Sequence, residues 1–396
     1  MTDAHAPTDH RHAVLAGFLG WTLDAFDFFL VVMCLTAIAT DLGVTRVEAA
    51  FSLTLTLAFR PVGAFIFGLM ADRYGRRLPL MLNLVFFSIV EVLSGLAPSF
   101  TAFLVLRALF GIGMGGEWGV GASLVMEKVP ARWRGVFSGL LQQGYAMGYL
   151  LAALAYALVF PRWGWRPLFF IGGLPALLSL YVRFRVKESE VWERTRHHDW
   201  SGLGRAIVAN WKVFLFITLL STVMIFCSHG TQDMYPTFLE NVWHFTPKQR
   251  AALTAFSMVG ALIGGVAIGF LSDRIGRRKA IALSLGCGIL VIPLWAYAPS
   301  IPLLVTGVFI IQACVQGGWG VIPAHITELS PDGVRGFLPG FAYQCGVLFG
   351  GTIVTIQAAL EKHFSFAAVM AGSAAFAFAS AALVALVGPE RHGRQY

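Results

Sequence analysis

The chain has 396 residues, of which 57% are hydrophobic and only 13% charged, with a mean hydropathy of +0.71. A soluble domain carries about 25% charged side chains, so the composition excludes a soluble globular protein and points to an integral membrane protein. The formal net charge of +8 could suit a nucleic-acid binder, but its distribution along the chain is that of a membrane topology.

Apolar runs of membrane length must satisfy their backbone internally and are therefore helices. Hydropathy read against turn signals predicts twelve, at roughly 13–39, 47–70, 78–97, 101–126, 135–160, 166–186, 210–236, 248–271, 279–298, 302–327, 336–360 and 364–388. Lys187 to Asn210 is the one long hydrophilic connection, so the expected organisation is an N-terminal half (1–186), a linker (187–209) and a C-terminal half (210–396). Of the 29 Lys and Arg residues, 21 fall on one side of this arrangement and 6 on the other, while Arg60 and Arg107 lie within helices. The positive-inside rule makes the richer side, which carries both termini, cytoplasmic. Met1 to His12 lacks the apolar core and small-residue site of a cleaved signal, so the first helix is expected to remain in the mature protein. The five cysteines lie in apolar segments without a CxxC, so neither a disulfide nor a metal site is expected. No nucleophile-and-base set suggests an enzyme, and no cofactor is expected.

In the first helix, Asp24 and Asp27 stand three residues apart and share a face about halfway through the span. Two carboxylates so close in a low dielectric cannot both ionise cheaply, which makes one a candidate proton carrier; tethering Arg60 or capping neighbouring helices is the alternative. Arg60 lies about 13 residues into the second helix, near mid-membrane at about 1.5 Å per residue, and Pro61 beside it is expected to kink the helix. A guanidinium at that depth can take a carboxylate with two hydrogen bonds, or it can form a buried ion pair with Asp24 or Asp27. Glu91 in the third helix is given no role. Arg107 opens a glycine-rich run in the fourth helix, Arg-x-x-x-Gly111-x-Gly113-x-Gly115-Gly116-Glu117. Arg107 and Glu117 are about 15 Å apart along the axis and cannot pair within one straight helix, so each could bridge to a neighbour instead.

Gln142, Gln143 and Tyr145 in the fifth helix, Gln312 and Gln316 in the tenth, and Tyr343 and Gln344 in the eleventh could line a pore or glue helices together. Neutral amides suit hydrogen bonds to a hydroxyl or carbonyl. The seventh helix contains Ser228-His229-Gly230-Thr231-Gln232-Asp233, five polar side chains in six residues, which a lipid-facing or purely packing helix would not tolerate. His229, Gln232 and Asp233 project to one side and are expected to line a pore, with Pro236 loosening that end of the helix.

One stretch is written twice. Gly68-Leu-Met-Ala-Asp72-Arg73-Tyr-Gly75-Arg76-Arg77 returns as Gly269-Phe-Leu-Ser-Asp273-Arg274-Ile-Gly276-Arg277-Arg278, 201 residues later, each a charged hairpin between two membrane-length runs. At the same offset Thr45 and Glu48 fall on Thr246 and Gln249, two capping boxes. Trp118 falls on Trp319, Glu127 on Glu328, Arg134 on Arg335, Gly139 on Gly340 and Gln143 on Gln344. A register held without a gap over about 100 residues is a duplication. It fails at Arg60, which falls on Ala261, and at Glu117, which falls on Gly318. Asp72 and Asp273 are expected to bond the amides that begin the eleventh or fifth helix and to pair with Arg335 or Arg134. With Arg76 and Arg277 they make a latch that exists only when the cytoplasmic side is shut.

Two six-helix repeats carrying the duplicated Gly-x-x-x-Asp-Arg-x-Gly-Arg-Arg resemble the major facilitator superfamily over essentially the whole chain. The resemblance implies an all-α membrane fold, with twelve transmembrane helices in two pseudo-symmetric halves that rock about a central site. The Arg107 run is similar to that superfamily's fourth-helix arginine motif, associated with proton coupling. His-x-Thr-Gln-Asp-x-x-x-Thr from His229 to Thr237, with Gly20-Trp-Thr-Leu-Asp-Ala-Phe-Asp-Phe28, resembles the sialate:proton symporter family and its lactate and pyruvate branch. That branch usually has Asn where this chain has Ile225. The resemblance ties His229, Gln232 and Asp233 to substrate and proton movement.

It implies proton-coupled symport of a lactate- or pyruvate-like monocarboxylate across a bacterial-type inner membrane, by a chain acting as a monomer. Arg60 would hold the carboxylate, with His229, Gln143, Gln232 and Tyr343 around the rest; Asp24, Asp27, Glu117 and Asp233 would share the proton, with Arg107 tuning them. Sialic acid or another organic anion is the alternative substrate, and a transporter-like nutrient sensor a further reading. The expected partners are the anion, the proton and the lipid bilayer, with no nucleic acid.

Overall fold

The computed structural model describes residues 9–196 and 199–395; the polar start (1–8), positions 197 and 198 of the connecting segment and Tyr396 lie outside the described residues. Among the described residues, twelve helices are long and apolar enough to cross a membrane. In the first half these are Asp9–Asp41, Arg46–Tyr74, Arg77–Gly95, Phe100–Lys128, Ala131–Trp163 and Arg166–Arg185. In the second they are Trp211–Asn241, Pro247–Ile275, Arg277–Ala296, Ile301–Leu329, Leu338–Leu360 and Phe366–Val387. Large apolar side chains such as Leu158, Leu177, Leu290 and Phe376 stand exposed around the outside, as a lipid-facing surface requires. The connecting segment folds into two short helices, Glu190–Thr195 and Trp200–Ala209.

The duplication is preserved down to the helix ends. The second helix and the eighth, like the fourth and the tenth, begin and end at positions 201 apart. Both capping boxes form: the Glu48 carboxylate accepts from Thr45 N at 2.8 Å, and the Gln249 amide oxygen from Thr246 N at 2.9 Å. Gly75 (φ +100°) and Gly276 (φ +94°) end the two helices in backbone that only glycine adopts without strain, so the next helix starts almost at once. Pro61 lies inside the second helix, which runs on without a break and packs along its length on the fourth, where Gly115 lies against the Arg60 backbone. The seventh helix, by contrast, breaks at Asp233 and Met234, just before Pro236.

The halves meet at the end of the bundle that bears the hairpins, with the second, fourth and fifth helices against the eleventh, tenth and eighth. Asp72 accepts from Gly336 N and Phe337 N at 2.7 and 2.9 Å, and Asp273 from Gly135 N and Val136 N at 2.8 and 3.1 Å. Each aspartate thus occupies the amide-rich start of a helix in the opposite half. Arg76 bridges Asp72 (2.7 Å) and Glu127 (2.9 Å), and Arg277 bridges Asp273 (2.8 Å) and Glu328 (3.0 Å). The expected pairing of Arg335 and Arg134 with the two aspartates is corrected. Arg134 reaches Glu328 at 3.0 Å and Arg335 reaches Glu127 at 3.5 Å, because each aspartate is already engaged by two amides and a hairpin arginine. These charges are buried almost completely, so this end of the molecule is shut.

Backbones also touch across this seam: a Cβ added at Gly340 would stand 2.8 Å from the Gly119 Cα. Gly340→Ala is therefore expected to wedge the halves apart here. The readout is faster maleimide labelling of a cysteine introduced by Ala324→Cys at the buried seam; unchanged labelling would refute it.

Candidate functional site

Between the halves lies a cavity of about 660 Å³. Its walls come from the parts of the helices remote from the hairpins, including Leu57, Tyr149, Thr254 and Thr355. The half-exposed Tyr149 and Leu348 on its wall lead to the outside at that far end. The cavity is a cup, closed at the hairpin end.

Arg60 stands on this wall with its side chain buried, and its Nε and Nη2 have no hydrogen-bond partner. It is the one arginine or lysine lining the cavity among the described residues. Its guanidinium lies beside the Tyr343 hydroxyl. The alternative of a direct ion pair with Asp24 or Asp27 is not formed, since all four carboxylate oxygens of those residues are without a hydrogen-bond partner. Across the cavity the seventh-helix cluster faces inward: His229, Gln232 and Asp233 all line the wall, because spacings of three and four bring them to one helix face. His229 Nδ1 and Asp233 are 2.7 Å apart, and Gln232 donates to Gln312 at 2.7 Å. Tyr343 completes this set.

Gln143 is not on the wall. The fifth helix is interrupted at Gln143, which turns Gln142 toward the cavity, where it accepts from the Trp118 indole at 3.4 Å. Gln143 points instead at Gly265 of the eighth helix and donates to its own Gly139 carbonyl at 3.3 Å. A glycine at 265 makes room for it, which places Gln143 in the contact between the halves.

The acidic groups of the first half lie behind the cavity. Asp24, Asp27 and Glu117 are fully buried and unpartnered. Glu117 leans on Gly20 of the first helix, and Asp27 on Gly172 of the sixth. Arg107 is remote from the cavity too. It pairs with Glu91 at 2.5 Å, contacts the Ser94 hydroxyl, and lies over the Phe110 ring at 4.7 Å. Glu91, given no role from sequence, is thus the partner of Arg107 and a neighbour of Asp27 through Gly172. An ionisable residue mid-way along an apolar helix was the available signal. Glu91→Gln leaves Arg107 buried without its counter-charge, which costs about 3–5 kcal/mol. A fall in the melting temperature of the detergent-solubilised protein measures it; an unchanged melting temperature would show the pair to be energetically idle.

A family model described as Major Facilitator Superfamily matches residues 17–249 and 233–395. The chain is 32% identical over 391 residues to the probable 4-methylmuconolactone transporter of Cupriavidus pinatubonensis, covering 96% of this chain and 90% of that protein. It is 30% identical over 392 residues to the sialic acid transporter NanX of Escherichia coli, covering 98% and 95%. The cis,cis-muconate transport protein of Acinetobacter baylyi is 28% identical over 347 residues, covering 85% and 84%. Among solved structures, the proton:xylose symporter XylE bound to 6-bromo-6-deoxy-D-glucose superposes with a TM-score of 0.77 at 19% identity, covering 98% of this chain and 97% of that one. That likeness speaks for the fold alone.

Proposed function

Because the chain belongs to the major facilitator superfamily, we propose that it carries a small organic monocarboxylate together with a proton across the plasma membrane by alternating access. It is a multi-pass membrane transporter and not an enzyme. The observation that carries the proposal is Arg60, a guanidinium without an ion-pair partner on the wall of a cup closed at one end. Burying such a charge unpaired is costly, and an anion with two oxygens removes the cost. The named substrates of relatives, a muconate and a sialic acid among them, support an organic acid. Lactate and pyruvate, suggested by the resemblance of the first and seventh helices, are small members of that class.

The proton part rests on three buried carboxylates without partners, Asp24, Asp27 and Glu117, behind the same wall, and on His229 with Asp233 across it. A proton that travels with a monoanion makes the cycle electroneutral, so no net charge moves against the membrane potential. The hairpin end is the cytoplasmic one by its excess of Lys and Arg. The closed hairpin end then makes this the outward-facing state, and breaking the Asp72 and Asp273 contacts is the step that exposes the cup to the cytoplasm.

The test is uptake into proteoliposomes of labelled lactate, pyruvate, benzoate and sialic acid, with and without an inward proton gradient. Gradient-driven uptake of a monocarboxylate is the expected result. If none of these acids responds to the gradient, the proposal falls.

A further inference from the structure

We infer that the transported acid is planar and ring-bearing, with its carboxylate on Arg60 and its ring in a slot between Tyr145 and Tyr343. This rests on the reading of the cup as a monocarboxylate site and narrows it. Three features of the cavity carry the inference.

The first is the lining. Tyr145 is stacked on Trp21, with ring centroids 5.7 Å apart and planes at 28°, and meets Phe29 edge-on at 5.1 Å. On the other half, Tyr343 meets Trp319 edge-on at 5.9 Å, and Trp118 of the first half, itself against Trp21 at 6.5 Å, stacks on it at 4.0 Å. These groups are held in place: Trp21 and Tyr343 are only 2% and 5% exposed. Rigid rings with faces and edges set at such angles accept another ring in the offset or edge-on geometries that aromatic groups prefer. The guanidinium lies beside the Tyr343 hydroxyl and shares the cavity wall with Tyr145, so a carboxylate held there places its substituent against these rings.

The second feature is size. A cavity of about 660 Å³ falls among clefts that hold ligands much larger than a three-carbon acid. Lactate on Arg60 would leave most of that volume unfilled.

The third is charge and polarity. With Arg60 the one arginine or lysine on the wall among the described residues and the carboxylate of Asp233 opposite, beside His229, the wall offers one fixed positive charge, which favours a monoanion. The amides are largely committed: Gln232 donates to Gln312, Gln312 donates to Thr231 at 3.4 Å, and Gln142 accepts from Trp118.

The experiment compares three monocarboxylates of equal charge in proteoliposomes with an inward proton gradient: benzoate, cyclohexanecarboxylate of similar size but without a flat ring, and lactate. Benzoate is expected to show a KM up to about tenfold below both others, the upper end of what one aromatic contact supplies. Tyr145→Leu is expected to raise the benzoate KM about tenfold and leave that of lactate within about twofold. Equal KM values for benzoate and cyclohexanecarboxylate, lactate transported as well as benzoate, or an equal effect of Tyr145→Leu on all three would each overturn the ring slot while leaving monocarboxylate transport intact. Absence of gradient-driven uptake of every acid overturns the transport reading itself. Titration calorimetry of benzoate and lactate on the detergent-solubilised protein then judges the slot separately: a preference for benzoate upholds it, and no preference sinks it.

Discussion

Arg60→Ala is expected to abolish uptake, lowering kcat/KM for a monocarboxylate at least about a hundredfold. Truncating one side of a desolvated charge pair costs about 2–5 kcal/mol, which is roughly thirtyfold to several thousandfold in affinity. The site leans to the upper part of that range, since no second cation lines the cup among the described residues to take over the anion. Arg60→Lys keeps the charge but loses the planar fork, so it should retain part of the activity at a raised KM. Stability moves the other way. In the ligand-free protein the guanidinium is buried without an ion pair, so its removal should leave the melting temperature unchanged or raise it, and addition of substrate should stabilise only the parent protein. A variant that melts lower and still transports would assign Arg60 to the scaffold rather than to the anion.

Much of the architecture was legible because it is written twice. A 201-residue offset fixes helix ends, caps and glycine turns together, and each of these is a local property of a few residues: Thr45 with Glu48, Gly75 after Tyr74. The bond from Asp72 to the amides of Gly336 and Phe337 was also readable, since a carboxylate at a helix end needs donors and the repeat puts a helix start opposite.

What stayed hidden depends on rotation and on distance in sequence. Whether Gln142 or Gln143 faces the cup turns on a break at Gln143 that shifts the helix face, and no residue type announces it. The pairing of Arg107 with Glu91 joins two helices whose relative rotation the hydropathy of either does not set. Glu127 and Glu328 were visible as a repeated pair, but not as the anions that hold Arg76 and Arg277, because the candidates nearer in sequence, Asp72 and Asp273, satisfied the same chemistry. The carboxylates of Glu188 and Glu390, which accept from the Arg76 and Arg277 amides at 2.9 and 3.1 Å, lie in stretches whose polarity fits any connecting segment. Tyr145 and Tyr343 were readable as pore candidates, but their aromatic partners were not. Trp21 is unremarkable in a membrane helix; only the packing of the first helix on the fifth brings its ring onto Tyr145.

Asp24→Asn is expected to separate exchange from accumulation. Asp24 is fully buried and has no hydrogen-bond partner, and the strongest opposing charge acting on it is Arg60. An ionised Asp24 competes with the substrate carboxylate for that guanidinium, whereas a protonated one does not. Proton and anion therefore assist each other's binding, and by linkage the help is mutual. Asparagine imitates the protonated state permanently. The variant should exchange labelled for unlabelled substrate across a proteoliposome membrane within about twofold of the parent rate, since exchange needs no net proton movement. Its accumulation under an inward proton gradient should fall to simple equilibration, against a limit of about tenfold per pH unit for one proton per anion. Loss of both activities would make Asp24 a structural group, and retention of both would move the coupling proton to another carboxylate, with Glu117 and Asp27 the unpartnered ones behind the same wall. The distinction matters for how the halves communicate. Arg60 belongs to the helix that ends in Asp72, so a proton that releases Arg60 to the anion acts on the same rigid element whose far end holds the closed seam.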